Sequence, residues 1–292
     1  MPAALASTTP SALEDRRQAP REGGAFAMTS ADFQRVRTLI YQHAGISLSE
    51  GKRTMVYSRL SRRLRETGHA SFGDYLNWLS AQTGASGNAA WQAFVNCLTT
   101  NLTAFFREEH HFPVLAAELR ARRNAPLRLW CNAASTGEEP YSLAMTVLEA
   151  LGPHANASIV ASDIDTEVLV TAGRGVYDAA ARGLDAARLR RHFMRGKGEN
   201  SSLIRVKPEL QALIEFRQLN LMHERWSLDD PFDIVFCRNV MIYFDSPTQR
   251  RVLERMHRVM KPGSLLFAGH SENFGDARNL FRLRAKTVYE RV

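Results

Sequence analysis

Beyond about residue 124 the chain alternates short apolar runs with helical patterns, and this alternation restricts the fold more than any other feature. Residues 127–131, 158–161, 214–219, 232–237 and 264–268 have the length and apolar content of strands. Residues 139–151, 166–172 and 247–260 carry helical spacing between them. Pro140 is compatible with the first of these helices, because a proline in the first turn sacrifices no hydrogen bond. Lys261-Pro262-Gly263 is a stop signal for the third, and residues 287–291 read as a final strand. Strands alternating with helices imply an α/β architecture built on a doubly wound parallel sheet. Ligands of such a sheet bind at the carboxyl ends of its strands.

Upstream, Phe33, Val36 and Ile40, then Val56, Leu60 and Leu64, recur at helical spacing. Residues 28–95 therefore read as a small helical bundle, punctuated by Gly45, Gly51, Gly68 and residues 83–88. Residues 1–27, rich in Ala, Ser, Thr, Pro and charge, read as a disordered tail rather than a signal peptide. The remainder, 96–292, forms the second domain. No stretch has the apolar length of a membrane span. Cys97, Cys131 and Cys237 lie far apart without a CxxC pair, which argues against a disulfide framework or zinc site and points to the cytosol. A net charge of +8 favours an acidic partner, whether nucleic acid, anionic membrane or protein, without choosing among them. Within the second domain, residues 192–206 set RGKGENSS between apolar flanks, which fits a hairpin flap inserted at about 190–210 as well as a plain surface loop.

The residues after each strand describe the ligand crevice. Residues 132–137 are small and end in Gly137, so backbone can approach a ligand closely. Glu138 and Glu139 follow at the start of a helix. Carboxylates there disfavour a pyrophosphate and suit a cationic ligand such as S-adenosylmethionine, although two acids complementing a helix dipole are also common. Asp163 ends the second strand, where an acid holds ribose hydroxyls. Asp165 suits the N-cap of the next helix. Asn220 and Leu221 offer a polar and an apolar contact for an adenine, and Arg238 and Asn239 follow the strand at 232–237. The Asn/Asp-Pro-Pro-aromatic motif of amino methylation in nucleic acids is absent from that place. His110 and His111 are neighbours on a helix and are not expected to face one metal.

Five runs together resemble one family: NLTAFFR (101–107), AASTGEEPYSLAM (133–145), ASDID (161–165), FCRNVMIYFD (236–245) and FAGHSENF (267–274). Their order and content resemble the chemotaxis receptor glutamate methyltransferases, the CheR family, over roughly residues 28–292. The resemblance implies a Rossmann-like S-adenosylmethionine-dependent domain behind a helical domain, with a small β-subdomain that grips the receptor. By position it implies that Asn101, Thr103 and Arg107 contact the cofactor or line the active site. Glu139, with Glu138 not excluded, holds its methionine end, and Asp163 holds its ribose. Asn220, Leu221, Arg238 and Asn239 complete the pocket. Tyr243 stands with Arg107 at the substrate entrance. The RGKGE turn of the flap resembles that of members that capture a receptor's C-terminal peptide.

The chemistry such a site needs is modest. A glutamate carboxylate is ionised near neutral pH, its ordinary pKa being about 4.3, and is already a nucleophile. In-line transfer to it requires alignment and a water-poor pocket, with no general base, metal or covalent intermediate. Arg107 suits the alignment through its planar fork. On residues 50–66, read as one amphipathic helix, Lys52, Arg59, Arg62 and Arg63 share a face without an intervening acid. That face is expected to dock a carboxylate-rich receptor helix, although a charge run is more often simply solvated. Competing expectations are a nucleic-acid methyltransferase and a non-catalytic relative that binds cofactor or receptor. The chain is expected to be a monomer.

Overall fold

The computed structural model describes residues 25–228 and 231–292, so most of the expected tail lies outside the described residues. Four helices come first: α1 (Ser30–Ala44), α2 (Arg53–Thr67), α3 (Phe72–Ala81) and α4 (Gly84–Leu98). Thr29 and Asp32 form a capping box at the start of α1, and Gly45 ends it in a left-handed turn. The expected apolar stripes meet here: Phe33, Val36 and Ile40 pack in one core with Val56, Leu60 and Leu64. The single helix expected over 50–66 is divided, because residues 50–52 form a 3₁₀ turn before α2.

Helix α5 (His111–Ala121) leads into the second domain, which continues β1 (Leu127–Cys131), α6 (Glu138–Leu151), β2 (Ala157–Asp163) and α7 (Thr166–Arg174). A small sheet follows, of β3 (Val176–Asp178), β4 (Phe193–Arg195) and β5 (Leu203–Val206), with α8 (Ala186–His192) between the first two. Then come α9 (Pro208–Gln211), β6 (Ile214–Gln218), β7 (Phe232–Cys237), α10 (Ser246–Arg258), β8 (Met260–Ala268), β9 (Phe281–Ala285) and β10 (Val288–Arg291).

The main sheet has the order β6-β2-β1-β7-β8-β10-β9. Its first five strands are parallel, but β10 pairs antiparallel with both β8 and β9, so the sheet is mixed rather than wholly parallel. A two-residue connection at Lys286 and Thr287 makes β9 and β10 a hairpin, and a hairpin pairs antiparallel. Alternation along β1 explains the double layer. Leu129 and Cys131 face the core shared with α5 and α6, while Trp130 faces the one shared with α10. The strand order reverses beside β1, which lies between β2 and β7, so the crevice opens over the carboxyl ends of these strands.

Two expectations need revision. Lys261-Pro262-Gly263 does not simply end a helix, since it lies within β8, where the register against β7 jumps. Proline fits that interruption because it has no N–H for the ladder. The flap at 192–206 is a hairpin, but it carries a third strand: β3 pairs with β5 from Val176 to Asp178. A three-residue strand carries too few residues to display a period. Phe105 docks this small sheet onto the second domain, its ring 4.9 Å from Tyr177 and 5.7 Å from Phe193.

Candidate active site

A cavity of about 440 Å³ opens over β1, β2 and β7, within the usual size of small-molecule sites. Its floor begins at the turn after β1. Gly137 has φ +102°, and a Cβ there would lie 2.6 Å from the Tyr177 hydroxyl, so only glycine fits. The turn delivers α6 with Glu139 pointing inward. Glu139 is buried, pairs with Arg238 at 2.9 Å and accepts from the Cys131 thiol at 3.2 Å. Burial pushes its pKa up, and the guanidinium pulls it back. Arg238, at 3% exposure, also donates to the Arg107 carbonyl and lies 3.6 Å from the Glu108 carboxylate. Glu138 behaves differently. It does not line the cavity, and its carboxylate accepts from Thr136 at 2.6 Å.

Asp165 takes the N-cap expected of it, and Asp163 stands apart from it at the cavity. Asp165 caps α7 through the amides of Glu167 (2.9 Å) and Val168 (3.3 Å). Its second oxygen accepts from Thr99 (2.6 Å) and Asn101 (2.8 Å). Asp163 lines the cavity and accepts from the amides of Ser135 (2.8 Å) and Asp165 (3.0 Å). Burial pushes its pKa up to about 6.

Asn101, Thr103, Arg107, Asn220, Leu221, Arg238, Asn239 and Tyr243 also line the cavity. Both amide atoms of Asn220 are engaged, donating to the His43 carbonyl at 2.7 Å and accepting from the Met222 amide at 2.9 Å. Asn220 thus shapes the wall by tying it to the end of α1. The helical domain supplies a roof that the sequence reading did not foresee: Ile46, Leu48, Lys52 and Met55. It is pinned by the Ser47 amide on the Tyr243 carbonyl (2.8 Å) and the Tyr41 hydroxyl on Asp245 (2.7 Å). These residues lie some 200 positions from Tyr243, so no local signal marks them.

The basic face expected on α2 is divided. Lys52 stands at the cavity, and Arg62 is exposed and pairs with Glu66 at 2.9 Å. Arg59 turns inward to the carbonyls of Leu98 and Thr99, and Arg63 is half-buried beside Glu66. Arg59 caps the end of α4, whose last carbonyls lack helical partners. His110 and His111 also differ from expectation. Their rings and the Glu108 carboxylate bring ligand-type atoms within 4.8 Å of one another, because His110 stands before α5 and not within its body. Both rings instead contact the Thr287 hydroxyl, and Arg238 beside Glu108 opposes a cation there.

Family comparison agrees with this architecture. Residues 31–99 match the CheR methyltransferase all-alpha domain, and residues 101–289 match the CheR methyltransferase SAM binding domain. The chain belongs to the CheR methyltransferase family. Its cofactor is therefore S-adenosylmethionine, and its larger domain is a Rossmann-like methyltransferase fold. A chemotaxis protein methyltransferase of Klebsiella aerogenes is 53% identical over 264 residues, covering 90% of each chain. One from Escherichia coli K12 is 51% identical over 265 residues, covering 90% of this chain and 91% of the relative. Chemotaxis protein methyltransferase 2 of Pseudomonas aeruginosa is 53% identical over 268 residues, covering 90% and 94%. No described helix of this CheR chain is long and apolar enough to cross a membrane.

Proposed function

We propose that this methyltransferase transfers the methyl group of S-adenosylmethionine to glutamate side chains of a chemoreceptor's cytoplasmic region, forming methyl esters. The observation that carries the reading is the cavity itself: the buried carboxylates of Glu139 and Asp163 line it together with Arg107 and Tyr243. The floor suits the cofactor. Glu139 keeps acceptor capacity beyond Cys131 and Arg238 for an ammonium group, since a carboxylate has about four lone-pair sites. Asp163 offers its carboxylate to the ribose, and Leu221 and Asn220 border the adenine. Bound cofactor supplies a methyl group already activated by its sulfonium. The protein's work is alignment and exclusion of water. Arg107, anchored by one nitrogen to the Leu102 carbonyl at 2.9 Å, keeps the rest of its fork for the incoming carboxylate. Tyr243 shares the orientation. No proton has to leave an ionised glutamate, so the site needs no base.

The relatives' printed role in chemotaxis supports a receptor as substrate. The flap and the exposed charges at Lys52 and Arg62 are the proposed receptor contacts, the flap by tethering a C-terminal peptide. The domain division 28–95 and 96–292 and a monomeric state belong to the same proposal. The test is direct: supply methyl-labelled S-adenosylmethionine and a receptor cytoplasmic fragment, then treat the product with mild base. Release of volatile labelled methanol is expected. Label that resists base would name a different acceptor atom and overturn the reading.

A further inference from the structure

The turn after β8, residues 269–272, lies outside the cavity lining, yet it bonds to Asn239 and Val240 of that lining and to Glu108, the neighbour of Arg107. Glu272 is 6% exposed, and its carboxylate accepts four backbone N–H groups. One oxygen takes Val240 (2.9 Å) and Met241 (2.8 Å), and the other takes Asn239 (3.0 Å) and Gly269. Four donors fill the acceptor capacity of a carboxylate. The residues so gripped include Asn239, held at φ +59°, a left-handed conformation that asparagine adopts more readily than most residues with a Cβ. Approach is so close that a Cβ on Gly269 would fall 2.7 Å from the Asn239 amide nitrogen Nδ2 and 2.7 Å from the Glu272 carboxylate. The same turn also reaches the segment that carries Arg107, where the His270 amide donates to Glu108 at 3.0 Å.

We propose that Glu272 is a positioning residue for methyl transfer: its carboxylate gathers the amides of residues 239–241 and so fixes Asn239 on the cofactor side and Tyr243 on the substrate side. This rests on the assignment of Arg238 and Asn239 to the cofactor pocket. A buried carboxylate that bonds away from the cavity lining is available for contrast in β7. Asp233, near the other end of β7, is 5% exposed and accepts from the Arg128 amide (2.9 Å) and Lys261 (2.8 Å), and it does not line the cavity.

The experiment compares Glu272→Gln with Asp233→Asn in the full chain, measuring S-adenosylhomocysteine binding by calorimetry, kcat and Tm. Glutamine keeps the shape but turns an NH₂ group toward two N–H donors. Glu272→Gln should weaken binding by roughly tenfold or more, the scale of a charged hydrogen bond, and lower kcat as well. Asp233→Asn should lower Tm while binding stays within about twofold. A folded Glu272→Gln protein with wild-type binding and kcat would overturn the positioning role, as would an equal loss of binding in Asp233→Asn. If Glu272→Gln does not fold, hydrogen exchange of the wild-type amides of Val240 and Met241 decides. Strong protection supports the grip, and exchange at open-loop rates overturns it. Asn239→Ala separates the two layers: if it leaves cofactor binding unchanged, the pocket assignment has failed. If it weakens binding while Glu272→Gln does not, only the positioning role has failed.

Discussion

The floor and the rim of the cavity are built in opposite ways. On the floor, Glu139, Asp163 and Arg238 are all at most 8% exposed, and each is hydrogen-bonded. On the rim, Leu102 is 82% exposed and Ile242 48%, with Lys52 exposed nearby. A floor that always meets the same small cofactor gains from fixed, desolvated groups, which need no reorganisation when the ligand arrives. A rim that meets a protein surface gains from accessible apolar and cationic side chains that become buried only in the complex. Under the proposed function, cofactor affinity belongs to the floor and substrate affinity to the rim.

The largest break should come from Arg238→Ala. Removing one partner of a buried ion pair costs about 3–5 kcal/mol, because it leaves Glu139 charged and unpaired. Tm should fall sharply and S-adenosylhomocysteine binding should drop beyond a hundredfold. Retained binding would move the methionine end elsewhere. Arg107→Ala tests the boundary between floor and rim. Transfer should slow by about ten- to a hundredfold, the equivalent of one charged hydrogen bond at about 1.5–3 kcal/mol. Full activity would remove Arg107 from the mechanism.

The pH dependence sharpens the floor. With the folded pKa of Asp163 raised to about 6, its contribution to the stability of the cofactor-free chain is complete below the ordinary carboxylate range and is lost as pH rises through 6. The ribose role proposed for Asp163 uses the ionised form, so affinity should run the other way. Calorimetry from pH 7 to pH 5 should show about a tenfold weakening, the fraction ionised one unit below a pKa. Asp163→Asn should flatten that profile, and a profile unchanged in the variant would assign the titration to another group.

Smaller effects are expected at the rim. Leu102→Ser should raise KM for the receptor fragment by about five- to tenfold, consistent with partial burial of one leucine side chain. Cofactor binding should stay constant, and a change there would erase the division between floor and rim. Arg62→Glu should weaken receptor use only about two- to threefold, with the loss shrinking in high salt, because an exposed charge is screened. Reversing Arg59 is not a clean probe of docking. It would also strip the cap from Leu98 and Thr99, beside the cavity loop.

Much of the site was legible because the chemistry sits at strand ends. Asp163, Arg238 and Asn239 follow apolar runs whose direction fixes where those ends lie. Less was legible where two adjacent residues carry the same group. Glu138 and Glu139 have equal chemistry in sequence, and only the helical rotation of about 100° per residue turns one inward and leaves the other at the loop. Packing rather than rotation divided the arginines of α2. Their spacing placed them on one flank, but whether a flank is free depends on what packs beside it, and for Arg59 that is the end of α4.

Local periodicity by itself determined the helical bundle, the parallel strands and the crevice, since apolar spacing and turn residues act over a few positions. The motif runs determined the family. Only the tertiary structure decided that the helical domain roofs the cofactor cavity and that Glu272 grips residues 239–241. It also decided that Glu108, His110 and His111 converge. Except for the last, these are contacts between residues far apart in the chain, made by backbone amides and packing surfaces that every residue possesses. A sequence therefore carries no mark of them until the chain has folded.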